Sequence, residues 1–126
     1  MSFSNYLETK VLDHVFGGTA YTAPSTLYVA LFTSDPSDGD SGTEVSGGGY
    51  TRQTVTFTTT GATTSNDSAV EYATATANYG TVSHIGIYDA SSAGNLLAHA
   101  SLTSSKTIET GDVFRIPAGD LDITLD

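Results

Sequence analysis

The chain of 126 residues contains no cysteine and no tryptophan, and its four lysines and arginines stand against 14 aspartates and glutamates. Without cysteine there is no disulfide, no thiolate metal site and no cysteine nucleophile. The formal net charge of −10 excludes a protein that binds nucleic acid through its phosphates, and an anionic membrane surface would repel the chain. We therefore expect neither nucleic acid nor membrane among its partners.

Long hydrophobic segments are also missing. The longest apolar run covers residues 27–32, far short of the ~20 residues that a membrane helix needs. The first residues offer neither a basic start nor an apolar segment, so we expect no signal peptide. The chain length suits one domain, which we assign to residues 1–126.

Small polar residues dominate what is present, with 21 Thr, 15 Ser and 13 Gly. Such a composition raises the question of disorder. Seven tyrosines, five phenylalanines and a regular apolar spacing argue for a folded core instead. Because threonine is β-branched and favours strands, the composition predicts a mainly β protein.

One helix is predicted, at about residues 4–16. Apolar residues recur there at a spacing of four, from Leu7 to Val15, which makes one apolar stripe on a helix. Ser4 or Asn5 can cap its start. The glycine pair that follows can end it, because glycine adopts the left-handed conformation at low cost.

The rest of the chain, about residues 26–126, is predicted to form an antiparallel β-sandwich of about seven or eight strands, either jelly-roll or immunoglobulin-like. Its strands are predicted at residues 26–34, 50–58, 69–73, 79–89, 95–102, 106–108, 113–116 and 121–125. The fourth and fifth of these strands read as a hairpin. Residues 59–68 are predicted to be a polar connection.

The sequence holds no convincing catalytic or metal-binding pattern. In the predicted hairpin His84 and His99 lie near each other, but no third ligand completes a metal site. The run that begins at Asp38 resembles a calcium loop, yet its twelfth position is Gly49 rather than a bidentate acid. We expect no enzyme, no cofactor and no metal, and leave open whether the long loop at residues 36–49 binds an ion or a glycan.

Several stretches together carry a family resemblance. They lie at residues 5–8, 12–15, 21–24, 27–33, 44–53, 80–89, 94–98 and 116–121. The most characteristic are Glu-Val-Ser-Gly-Gly-Gly-Tyr-Thr-Arg-Gln at residues 44–53 and Ile-Pro-Ala-Gly-Asp-Leu at residues 116–121. In these stretches the chain resembles small virion proteins of tailed bacteriophages, whose members are labelled tail fibre or capsid decoration (cement) proteins.

The resemblance implies a structural protein on the outer surface of a phage particle, made in the bacterial cytoplasm. Since the chain lacks the repeats of a fibre shaft, we expect a capsid decoration protein. It would bind the major capsid protein or other virion proteins and stabilise the shell as a homo-oligomer, with a trimer favoured. The alternative is a tail-associated or tail-fibre protein that contacts the host surface, with carbohydrate as one candidate receptor.

A third interpretation is a carbohydrate-binding β-sandwich. It would use Tyr50, Tyr72, Tyr79 or Tyr88, although ordinary strand packing is the favoured role of these tyrosines.

The candidate interface lies around the triglycine. It comprises Gly47, Gly48, Gly49, Tyr50 and Arg52. Arg52 and Arg115 attract attention because positive charge is so scarce in this chain. The more ordinary expectation is that each arginine pairs with an acid of its own chain, and the alternative is a contact with an acidic partner subunit, for which Arg52 is the better candidate.

Overall fold

The computed structural model describes residues 1–125. Within them the chain forms ten strands and one helix. In chain order these are β1 (Ser2–Phe3), α1 (Asn5–Val15), β2 (Leu27–Phe32), β3 (Gln53–Val55), β4 (Phe57–Thr60), β5 (Thr63–Asn66), β6 (Val70–Glu71), β7 (Gly80–Tyr88), β8 (Leu96–Ile108), β9 (Arg115–Ile116) and β10 (Asp122–Thr124). No helix in this part of the chain is long and apolar enough to cross a membrane.

Five strands form the larger sheet, in the order β1-β8-β7-β2-β3, and every neighbouring pair is antiparallel. The predicted hairpin is confirmed, since β7 pairs with β8. β8 also takes in the short strand predicted at residues 106–108, so it runs for 13 residues. The apolar residues on both faces of β2 are buried, from Val29 to Phe32, because the strand lies inside the sheet and is covered on both sides.

A large bulge interrupts the pairing of β7 with β8. Val82 lies opposite Lys106, whereas His84 lies opposite Ser101. The four residues 102–105 therefore face Ser83 alone. Bulges of this kind bend a strand and redirect its side chains.

Two smaller sheets form the opposite layer, one in the order β10-β5-β4 and the other made of β6 and β9. The prediction of a polar connection at residues 59–68 is wrong, because Thr60 pairs with Thr63 across a two-residue turn and β5 follows. Gly61 in that turn has φ of +62°, as two-residue hairpin turns require. The strand is polar because its hydroxyls bond across the sheet, as Thr59 does to Thr64.

The core lies between the two layers, which makes the molecule sandwich-like. A continuous cluster of buried side chains draws on two of the sheets and on Leu121 beside β10: Val29, Leu31, Val55, Ile85 and Ile87 come from the large sheet, and Val70 and Ile116 from β6 and β9. From the third sheet, half-buried Phe57 and Ile123 pack against this cluster. The predicted fold class is confirmed as a mainly β, antiparallel protein with one N-terminal helix. There are more strands than predicted, in part because the strand expected at residues 50–58 is broken at Thr56 into β3 and β4.

The helix agrees with its prediction to within one residue at each end. Ser4 is the N-cap, and its hydroxyl accepts a hydrogen bond from the Leu7 N–H at 3.2 Å while donating one to the Leu96 carbonyl. Gly18, with φ of +71°, lies just beyond the end. The helix packs on β8 and β1 but contains no fully buried residue, so its position depends strongly on Ser4.

Candidate functional site

Three side chains of the characteristic stretch at residues 44–53 form one hydrogen-bonded group. Arg52 donates to both carboxylate oxygens of Glu44, through Nε at 2.9 Å and through Nη2 at 2.8 Å. The Tyr50 hydroxyl donates to Glu44 Oε2 at 2.7 Å and accepts from the Leu31 N–H at 3.0 Å. The group joins both ends of the triglycine turn to β2.

Arg52 also fastens this group to the turn between β7 and β8. Its Nη1 donates to the carbonyls of Ala90 and Ala93, at 3.0 and 2.8 Å. Its guanidinium lies 3.7 Å from the centre of the Tyr88 ring, a cation–π arrangement. The Arg52 side chain is only 7% exposed, so all of its charge is used inside its own chain, in agreement with the more ordinary of the two expectations.

The electrostatics of the group follow from this geometry. Burial alone would raise the pKa of the Glu44 carboxyl, but hydrogen bonds from Arg52 and Tyr50 outweigh burial and hold that pKa below its ordinary value. Burial raises the pKa of the Tyr50 hydroxyl, and its hydrogen bond to the Glu44 carboxylate raises it further. The group is therefore held as a carboxylate, a guanidinium and a neutral phenol.

The triglycine is a tight turn in which all three residues have positive φ, between +62° and +79°. Gly48 faces inward, where a Cβ would stand 2.7 Å from the Ala77 carbonyl oxygen, and its own carbonyl accepts from the Thr76 N–H at 2.9 Å. Gly47 and Gly49 are exposed. Of the five candidate interface residues, these two glycines thus face outward, while Tyr50 and Arg52 hold the turn from inside.

The tyrosines considered for carbohydrate binding are packed in the protein. Tyr72, Tyr79 and Tyr88 are 2%, 6% and 3% exposed, and Tyr50 stacks on Tyr72 with ring centres 6.0 Å apart. The burial of Tyr72, Tyr79 and Tyr88 excludes the stacking of a sugar on their rings and agrees with the favoured role of these tyrosines in packing. Among residues 1–125, the hydroxyl of Tyr79 is buried and has no hydrogen-bond partner.

The acidic loop at residues 36–49 is fixed to the large sheet by its own side chains. His99 Nε2 lies 2.7 Å from Asp38 Oδ1, and the Tyr88 hydroxyl donates to Asp40 at 2.5 Å. His84 lies beside His99 on the hairpin, as expected, and contacts Ser83 through Nδ1. The described residues contain no cluster of three or more His, Asp or Glu side chains arranged to hold a metal.

Two further features of the surface lie outside the five residues of the candidate interface. One is a cleft of about 400 Å³ between the bulge of β8 and residues 114–122, whose walls come together only in the folded chain. The other is the outer face of the helix, where Leu12, Val15 and Phe16 are 58%, 60% and 82% exposed. The spacing of these three residues was a signal for that face, since positions i, i+3 and i+4 lie side by side on a helix.

The molecule is thus a small antiparallel β-sandwich protein. Its most characteristic stretch, residues 44–53, is held to the sheet by hydrogen bonds of its own side chains. The family model described as Podophage GP4 fiber I protein gp80 matches residues 2–124. The chain belongs to this family of tailed-phage virion proteins, as the sequence resemblance predicted. No curated protein matches the chain.

Proposed function

We propose that the chain is a non-enzymatic structural component of the fibre of a podophage particle. The observation that carries this proposal is the match of a fibre protein family over residues 2–124. The structure supports a structural role, because the Glu44–Tyr50–Arg52 group is occupied by internal contacts and leaves no free acid or base there.

Capsid decoration, our expectation from the sequence, is the second candidate. Its support is the net charge of −10, which fits a protein that is spread over an outer shell and whose free copies repel one another. Cryo-electron microscopy of particles carrying a tagged copy separates the two candidates. Density for the tag at the tail supports the fibre, whereas density over the whole shell overturns it in favour of decoration.

The helix provides the attachment surface in this proposal. Leu12, Val15 and Phe16 form an exposed apolar stripe at the spacing that lets helices pack on one another. We propose that the helices of neighbouring copies pack through this stripe and form a homo-oligomer, with a trimer favoured. Each copy presents the same stripe, so three copies can bring their stripes together around a three-fold axis.

Sedimentation of purified protein tests the helix contact. The double variant Leu12→Ser with Phe16→Ser should sediment as a monomer, while the unaltered chain sediments as an oligomer. Val113→Ser is the matched control, because Val113 is also an exposed apolar residue, at 49%, but lies away from the helix. An unaltered chain that is monomeric at high concentration, or a double variant that still assembles, contradicts the contact.

The triglycine turn remains a proposed second contact, with other virion proteins. Its exposed glycines allow a partner backbone to approach closely, and Arg52 and Tyr50 keep the turn rigid. Thr51 is exposed beside it, so Thr51→Trp adds bulk without disturbing the internal group. This variant should enter particles less well than Thr60→Trp, which alters an exposed threonine on β4; equal incorporation contradicts the contact.

A further inference from the structure

The cleft beside the bulge, which we call the β8–β9 cleft, is built from all three sheets. One wall is the bulged part of β8, at residues 101–104 and Lys106, and the other is residues 114–117 with residues 120–122. Its volume of about 400 Å³ lies within the range of small-molecule sites, about 300–1,000 Å³. The bulge creates the cleft because it turns four residues of β8 out of register with β7.

The charges of the cleft are unusual for this chain. Lys106 and Arg115 line it, so half of the four basic residues of a protein with net charge −10 lie in one place. Among residues 1–125, Lys106 takes part in no ion pair, and Arg115 has only a 3.8 Å contact with Glu71 in which both side chains are more than half exposed. Both cations are therefore available to a ligand.

Carboxylates and hydroxyls line the same cleft. Asp120 and Asp122 are exposed there, and Ser101, Thr103 and Ser104 add hydroxyl groups. One oxygen of Asp122 accepts a hydrogen bond from Ser65, which fixes the carboxylate and leaves its second oxygen available. The cleft thus offers hydrogen-bond acceptors beside the two cations.

The floor of the cleft is apolar and includes one aromatic ring. Ile85, Leu102 and Ile116 line it together with Phe114, which is half-buried. The Phe114 ring packs edge-on against Tyr72, with ring centres 5.8 Å apart, and the Tyr72 N–H donates to the Phe114 carbonyl at 2.9 Å. These contacts hold the ring in place before any ligand binds.

From this combination we propose that the β8–β9 cleft binds a sugar unit carrying one carboxylate group, such as a hexuronate. The apolar C–H face of a sugar suits Phe114, its hydroxyls donate to Asp120 and Asp122, and its carboxylate pairs with Lys106 or Arg115. A doubly charged phosphate fits less well, because the two aspartates repel it. A role of this binding in contact with a host surface rests on the proposed fibre function, whereas the binding of the sugar to the isolated protein does not.

The test is a titration of the ¹⁵N-labelled full chain followed by NMR, with glucuronic acid, glucose and inorganic phosphate as probes. Glucuronic acid should shift the amide signals of residues 101–106 and 114–122, with a dissociation constant on the order of 1 mM. Glucose should bind roughly tenfold more weakly, because it lacks the charge-assisted hydrogen bond. Phosphate should leave these signals in place.

Variants assign the binding to the cleft. Lys106→Ala and Arg115→Ala together should weaken binding of glucuronic acid at least about tenfold, while Lys10→Ala, which removes a basic residue on the helix, leaves it unchanged. The proposal is overturned if glucuronic acid causes no localised shift, if glucose or phosphate binds equally well, or if the double variant binds as before. If the protein lies at the tail but does not bind glucuronic acid, the proposal about the cleft is wrong and the fibre function stands. If it binds glucuronic acid but does not lie at the tail, the fibre function is wrong and the proposal about the cleft stands.

Discussion

Arg52 is held by four groups of its own chain, and this determines what the residue does. Its guanidinium is paired with Glu44, bonded to two carbonyls of the β7–β8 turn and stacked over Tyr88. A buried charge with this many partners is stabilised by its surroundings and becomes costly when one partner is removed. The residue therefore fastens the long loop to the sheet.

Replacement of Glu44 should expose this dependence. Glu44→Gln leaves the nearly buried Arg52 charge without its carboxylate and should lower the free energy of unfolding by about 2 kcal/mol, the magnitude of a hydrogen bond to a charged group. Urea denaturation measures the change. Glu71→Gln is the control, since it removes only the 3.8 Å contact with Arg115 and should cost less than about 0.5 kcal/mol. Equal effects of the two variants would show that the Glu44–Arg52 pair does not stabilise the fold.

Two buried tyrosines should respond differently to loss of their hydroxyls. The Tyr72 hydroxyl donates to the Val29 carbonyl at 2.7 Å, so Tyr72→Phe should cost about 1 kcal/mol of stability. The Tyr79 hydroxyl is buried without a partner, so Tyr79→Phe should be neutral or stabilising, because it removes a group that lost its water on folding. Thermal unfolding of both variants provides the comparison, and a larger loss for Tyr79→Phe would contradict it.

Among the structural elements, the triglycine turn shows why its glycines are not equivalent. All three have a positive φ, but only at Gly48 would a Cβ come closer than 3 Å to another atom, whereas at Gly49 the nearest atom, Thr76 Oγ1, is at an ordinary contact distance of 3.6 Å. The turn is anchored through the Gly48 carbonyl to Thr76 and through Tyr50 to Glu44. Its shape is thus set from within the domain, and its exposed side is free for partners.

Alanine substitutions should separate these two requirements. At Gly47 a Cβ meets nothing within 4 Å, so Gly47→Ala should cost only the left-handed backbone term, about 1 kcal/mol. Gly48→Ala adds a Cβ 2.7 Å from the Ala77 oxygen and should cost clearly more. Unfolding free energies of the two variants in urea give the difference, and a result in which Gly47→Ala is the worse of the two would refute the inward orientation of Gly48.

For the whole molecule, the buried tyrosines link stability to pH. Burial raises the pKa values of Tyr50, Tyr72 and Tyr88, and for Tyr50 and Tyr88 a hydrogen bond to a carboxylate adds to the effect. Each hydroxyl titrates at about 10 when the chain is unfolded and higher when it is folded. The stability they contribute is therefore fully present below pH 10 and decreases as the pH rises above it.

Alkaline unfolding measures this linkage. The urea concentration at the unfolding midpoint should decrease as the pH is raised from about 9 to about 12, because the unfolded chain loses protons that the folded chain retains. Tyr72→Phe should show a smaller fall, because one of the linked hydroxyls is gone. A midpoint that stays constant over this range would show that the three phenols are not held in their neutral form by the fold.

The sequence by itself determined the local elements and the class of fold. The helix from Asn5 to Val15 and the β7–β8 hairpin were predictable, because capping, apolar spacing and strand alternation act between residues that are near in the chain. The characteristic stretches also predicted the phage virion family that the match over residues 2–124 confirmed. The polar strand β5 escaped prediction because its pattern depends on hydroxyl contacts across the sheet rather than on burial.

Only the tertiary structure decided where the scarce charges and the tyrosines point. The inward direction of Arg52 could not be predicted from the sequence, because the carbonyls of Ala90 and Ala93 that it binds lie about 40 residues away along the chain. Local periodicity carries no information over such a separation. The β8–β9 cleft exists because a register shift brings the bulge of β8 opposite residues 114–122. Pairing of this kind is selected by the packing of the complete core, which no local pattern encodes.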